Sequence, residues 1–252
     1  GQFNLGAEVF GNAGLIKSGS GTLRFEGSEA NTYAGTTYVH DGILTLAKLA
    51  GVDAVSGDLV VGDFKNTTTV ILVNSHQIAD TATVTLRGVM HQQPTSLANI
   101  REGVLQFNNS GISPGLREAF DRLHIDGRGV LNFGGGEFAR ANYLFLNQLS
   151  FADTSSRLIV RNWVEFEDYL LVRRSGNENR IPPILSQIIF DGYGPARWVP
   201  YDNEYWQVTP FPEPSTYGVI FGAVGIGLWG WKKRRRRAAC SRQNEVRNSA
   251  LG

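Results

Sequence analysis

A five-residue pattern, glycine followed by apolar side chains at the third and fifth places, recurs along the chain and limits what it can fold into. It reads Gly21-Thr22-Leu23-Arg24-Phe25, Gly42-Ile43-Leu44-Thr45-Leu46, Gly103-Val104-Leu105-Gln106-Phe107 and Gly129-Val130-Leu131-Asn132-Phe133, with Gly57-Asp58-Leu59-Val60-Val61 as a looser copy. Side chains alternate along a strand, so the third and fifth positions share a face, and the glycine supplies the turn before them. The first two copies lie 21 residues apart and the last two 26. Intervals of that order match one coil of a solenoid, in which a turn of chain cannot bury its apolar face alone and stacks on the next. A β-sandwich of short hairpins carries the same alternation. The pattern favours the solenoid and leaves the sandwich open.

Between the first two copies, Ala34-Gly35 and Asp41-Gly42 bracket a β-branched strand. Residues 58–61, 68–73 and 81–86 read as further strands. One stretch departs from the pattern. Leu116, Ala119, Phe120 and Leu123 fall at helical spacing after Ser113-Pro114, which predicts a short helix over 116–123.

Residues 14–23, Gly14-Leu15-Ile16-Lys17-Ser18-Gly19-Ser20-Gly21-Thr22-Leu23, are followed by Asn31-Thr32-Tyr33-Ala34-Gly35-Thr36-Thr37 and Gly42-Ile43-Leu44. Together they resemble the autotransporter-associated β-strand repeat of large bacterial surface proteins, with its K-x-G-x-G-T-L strand, N-T-Y-x-G-x-T and G-x-L. The resemblance implies an all-β chain built as a right-handed parallel β-helix. The expected organisation is a β-solenoid over 1–137 and an aromatic-rich β cap region over 138–210. In the second region Asn162-Trp163 and Leu185-Ser186-Gln187-Ile188-Ile189-Phe190 resemble the segment just upstream of the sorting signal in repeat-bearing envelope proteins. Such a region would cover the open last coil of a solenoid. Its Trp198, Tyr201, Tyr205 and Trp206 are candidates for stacking on sugar rings, with Trp198 and Trp206 the sharpest; packing of the cap is the plainer reading.

No catalytic constellation is legible, and the chain is expected not to be an enzyme. Asp58 with Asp63, and Asp121 with Asp126, are the candidate carboxylate pairs, but Asp58 and Asp63 each follow a glycine in a turn setting. His40, His76, His91 and His124 have no metal-ligand spacing, and no phosphate-cradling loop or nucleophile elbow occurs, so no metal and no cofactor are expected. The sole cysteine, Cys240, excludes an internal disulfide. The sole methionine is Met90, so the sequence is expected to be a fragment or a processed product.

The chain ends on a different texture. Pro214 to Trp231 contains no charged residue, and Lys232, Lys233, Arg234, Arg235, Arg236 and Arg237 follow directly. Eighteen residues as a helix rise about 27 Å, against roughly 30 Å of bilayer hydrocarbon. Trp229 and Trp231 stand where an interfacial aromatic belt would, and the basic cluster places the tail in the cytoplasm and residues 1–210 outside it. Of 24 basic and 23 acidic residues, eight and one lie from Lys232 on; this leaves 16 against 22, a net −6, in residues 1–231. An acidic body offers no footing for a phosphate backbone, so no nucleic-acid partner is expected.

Pro212-Glu213-Pro214-Ser215, the apolar span and the basic cluster resemble the PEP-CTERM sorting signal of Gram-negative bacteria, over residues 211–237. The resemblance implies an exosortase as partner, with Pro212, Glu213, Pro214 and Ser215 as its recognition residues, and residues 238–252 as a disordered tail. It also implies localisation in the inner membrane during export, then in the cell envelope or extracellular matrix. The expected function is therefore that of an exported structural protein; the alternative is a β-helix that binds or cleaves exopolysaccharide.

Overall fold

The structure, a computed structural model, describes residues 1–89, 100–108, 115–134, 141–175 and 178–212. Residues 1–211 form one compact unit. Its chain alternates between two stacks of strands, and nearly every strand pairs in parallel with the one two steps earlier. The first stack, sheet A, runs β1 (Gln2–Leu5), β3 (Thr22–Gly27), β5 (Gly42–Lys48), β7 (Thr68–Leu72), β9 (Gly103–Phe107), the end of β10 (Arg117–Asn132), β12 (Arg157–Arg161) and β14 (Ile188–Phe190). Sheet B runs β2 (Leu15–Lys17), β4 (Thr37–Val39), β6 (Leu59–Val61), β8 (Thr83–Gly88), the start of β10, β11 (Asn142–Phe151) and β13 (Asp168–Arg173). Parallel strands need a crossover between them, and here each crossover is the other half of the coil.

The recurring pentapeptides are the reason for this register. In sheet A, Leu23, Leu44, Val70, Leu105, Leu131, Val160 and Phe190 stand opposite one another in successive strands. Phe25, Leu46, Leu72 and Phe107 form the next inward column, which Phe133 continues by stacking on Phe107 at 5.1 Å. The looser copy at Gly57 belongs to the other sheet, where Leu59 and Val61 face the core from β6. Two side chains per coil from each sheet interdigitate into one continuous core that runs from Phe25 to Val208.

The glycine of the pattern answers to close approach. Gly42 has φ +70°, and a Cβ there would lie 2.6 Å from the Gly19 carbonyl oxygen of the coil before it. At Gly127, φ +79°, β10 passes from sheet B into sheet A against the Gly88 carbonyl.

The helix expected over 116–123 is not formed: these residues open β10, which pairs with β11 from Arg117 to Ile125. Leu116, Glu118 and Phe120 face inward at strand spacing, and the inward set then resumes at Leu123 and Ile125. The shift of phase near Asp121, with a carboxyl at an inward position, imitates a helical period. Residues 181–184 form a four-residue helix, α1 (Ile181–Ile184), and residues 185–187 a 3-10 turn that leads into β14.

Parallel pairing stops at the C-terminal end of the unit. There β15 (Ala196–Pro200) and β16 (Tyr205–Pro210) form an antiparallel pair, and β16 closes onto β13 with Val208 opposite Leu170. Among the described residues no helix is long and apolar enough to cross a membrane. The span read at 214–231 lies outside the described residues.

Candidate functional site

The repeat-like segment is where sequence and local structure meet most closely. Lys17 occupies an inward position of sheet B, opposite Val39, at the head of a column that continues through Val61, Leu86 and Ile125. Its ammonium donates to the carbonyls of Gly19 (2.6 Å), Asp41 (2.8 Å) and Ser18 (3.2 Å), tying the first turn to the next coil. Burial lowers its pKa, and the charge of Asp41 acts the other way. Asn31, 2% exposed, receives the Val9 N–H on its Oδ1 (2.9 Å) and donates from Nδ2 to the Ala54 carbonyl (2.7 Å), so one amide joins three coils. Thr32 donates to Glu8, and the Tyr33 hydroxyl meets Thr37 inside the core. Lys17 and Asn31 therefore satisfy backbone groups at coil corners, whereas Thr32 and Tyr33 bond to side chains.

The same device recurs further along, at residues the sequence did not single out. Lys48, fully buried, donates to the Glu29 carbonyl at 2.6 Å. The Glu118 carboxyl, 1% exposed, accepts the N–H groups of Gln77 (2.9 Å) and Ile78 (3.2 Å). Burial pushes its pKa up to about 8 despite those donors. Asn142 donates to Asp168 (3.0 Å), whose other oxygen accepts the Val164 N–H, and burial raises Asp168 to about 6. For Glu118 the signal was present: it stands between Leu116 and Phe120 at strand spacing, so an inward parity assigned to those two carries it inside.

The two motifs of the second region resolve into packing roles. Asn162 takes a positive φ of 53°, which Asn tolerates better than most residues, and so turns Trp163 into the core. There Trp163 meets Phe133 and Phe190 edge-on at 5.3 and 4.9 Å. Gln187 donates to the carbonyls of Asp153 (2.7 Å) and Ser156 (2.9 Å), while Ile188 and Phe190 enter the core.

The candidate sugar-stacking residues lie together at the C-terminal end. Trp198 and Trp206 are half-buried, 4.4 Å apart and tilted by 42°. The Arg174 guanidinium lies over the Trp206 ring at 4.1 Å. A second aromatic row crosses the outer face of sheet B, where Tyr143 stacks on Tyr169 at 4.6 Å with Arg117 above it at 4.4 Å, and Tyr201 meets Tyr169 edge-on. Tyr143 and Tyr169 stack face to face, a guanidinium lies over Tyr143 as another does over Trp206, and these contacts stabilise the sheet.

Each candidate carboxylate has a structural partner of its own. Asp58 accepts the Thr83 N–H, and Asp63 caps the turn at Lys65 and Asn66. Asp121 accepts from Asn147, and Asp126 pairs with Arg87 at 3.2 Å. His124 contacts Ser150 at 3.0 Å, and His91 lies outside the described residues. Among the described residues, no group of three His, Cys, Asp or Glu is placed to hold a metal. A separate network lies on the outer face of sheet A, where Glu102 accepts from Arg128 (2.6 Å) and from both Nη atoms of Arg161 (2.8 and 2.9 Å). Burial opposes the charge of Glu102, but those guanidinium hydrogen bonds hold its pKa below the ordinary range.

Of the sorting-signal residues only Pro212 lies among those described. Glu213, Pro214, Ser215, Trp229, Trp231 and residues 232–237 lie outside them.

The family model of the passenger-associated-transport-repeat, an autotransporter-associated repeat, matches residues 15–46. The matched stretch begins at β2 and ends inside β5, so it holds the Lys17 clamp, the Asn31 corner and Gly42. It spans about an eighth of the chain. No curated protein and no solved structure matches this chain. The comparisons add nothing to the sorting-signal resemblance.

Proposed function

We propose that this chain is an exported, non-enzymatic structural protein of a Gram-negative cell envelope or extracellular matrix. Residues 1–211 form a passenger-like body, a parallel β-helix of right-handed coiling, and the C-terminal segment carries the signal that sorts it. The observation that carries this reading is the autotransporter-associated repeat at 15–46, whose landmark residues are the ones that join successive coils. The second support is the order Pro-Glu-Pro, apolar span, basic cluster over 212–237. The prolines favour an extended strand at the membrane face, within reach of a membrane-embedded exosortase. The apolar span holds the chain in the inner membrane during export, and the arginines and lysines keep the tail inside. Removal of residues 212–237 tests this. The truncated chain is expected to leave the membrane fraction and appear in the soluble periplasmic or secreted fraction; retention in membranes despite the deletion would sink the proposal.

A further inference from the structure

The last coils carry apolar side chains that the core does not take up. Ile189, on the outer side of β14, is 45% exposed, Tyr193 36% and Phe211 48%. They meet at one corner: Ile189 bridges Pro195, and the Pro195 carbonyl accepts the Phe211 N–H at 2.9 Å. The Tyr193 hydroxyl donates to the Trp163 carbonyl at 2.9 Å, at the head of the turn that carries Phe166. Phe166 is 81% exposed and is held at φ +69°. A bulky residue in the left-handed region is strained, and a ring left in water gains no packing to offset it. Strain kept without packing points to a contact outside the chain.

The chain leaves the body at this same corner. Pro214, where the uncharged span read at 214–231 starts, follows Phe211 by three residues, at most about 10 Å of extended chain. We propose that this corner rests on the surface of the bilayer that the span enters, with Phe166, Ile189, Tyr193 and Phe211 in the headgroup layer. Tyrosine and other amphipathic or apolar rings partition into that layer. Charge is not the attraction, because Glu165, Glu167 and Asp191 flank the corner and the Arg197 guanidinium already lies over the Phe211 ring at 5.5 Å. The partner is therefore a zwitterionic lipid surface. The contact keeps Pro212 at headgroup level, within reach of a membrane-embedded enzyme. It rests on the reading of 214–231 as a span, and the test separates the two.

The full chain with Cys240→Ser is labelled with bimane at Gly194→Cys and, separately, at Ser28→Cys. Each is reconstituted into phosphatidylcholine vesicles that bear a nitroxide on the headgroup. A Cβ at Gly194 meets Phe211 atoms at 3.5 and 3.7 Å, ordinary contact distances, so the label fits. Ser28 is exposed directly after β3, six strand spacings from β14 in sheet A, roughly 29 Å. Flotation of the chain with the vesicles after an alkaline wash reports the span alone. The label at position 194 should be quenched and the one at position 28 not. Phe166→Asn should lower that quenching about twofold or more, as less apolar area enters the interface. It should melt no lower than the parent, since Asn tolerates the left-handed region. Phe211→Ser should lower the quenching likewise, with circular dichroism unchanged. A floating chain quenched no more at 194 than at 28, or indifferent to both substitutions, overturns the contact and leaves the span standing. A chain that does not float overturns the span and the contact with it.

Discussion

The first and last coils described within residues 1–211 are built from similar strands and differ in what lies against them. At the C-terminal end the parallel ladders give way to β16, which runs antiparallel onto β13, and Val208 is fully buried against the last coils. In the first coil described, the same column that holds Phe107 at 0% exposure leaves Leu5 only half-buried. A coil in this architecture gains its stability from its neighbours. Lys17 and Asn31 tie the first coils to the ones that follow.

The largest effect that separates middle from end is expected from Phe107→Ala. Phe107 stacks on Phe133 in the sealed column, and its loss should cost about 3–5 kcal/mol. The matching Phe3→Ala should cost under about 1 kcal/mol in this chain, because its side chain is already mostly in water. Chemical denaturation measures both; equal costs would break the distinction.

A smaller effect concerns the polar corners in the middle of the stack. Glu118 is held protonated to about pH 8 by burial, against an ordinary value of 4.5, so the folded state keeps a proton that the unfolded chain has lost. Stability therefore falls as pH rises from about 4.5 to about 8 and levels off above that, by an amount on the order of a few kcal/mol. Glu118→Gln should flatten that slope in denaturation curves taken across the range, and a slope identical to wild type would show that Glu118 does not carry it.

Much of the coil register was legible because the pentapeptides place apolar side chains at one parity after a glycine. Leu105 falls opposite Leu131, and Phe107 stacks on Phe133, as that parity requires. Residues 116–123 misled for a physical reason: a buried carboxyl interrupts the apolar parity, and the phase slips once within β10. The polar clamps were the least legible part. Lys48, Gln77 and Asn142 are ordinary surface types by composition, and only the turn carbonyls and side chains opposite them in three dimensions give them an interior role. The aromatics of the second region were visible as a cluster. Which of them share faces follows from the pairing of β11 with β13 and of β15 with β16, none of which spacing along the chain reveals.

The central claim is that the body stands outside the inner membrane and the tail inside. The native Cys240 lies in that tail, beyond the basic cluster, and is the chain's single cysteine. Spheroplasts of a host without an exosortase, treated with a membrane-impermeant thiol reagent, report both sides. Thr154→Cys in a Cys240→Ser background should be labelled in intact spheroplasts, and Cys240 of the wild type only after lysis. Labelling of Cys240 from outside, or protection of Cys at position 154 until lysis, would contradict the account.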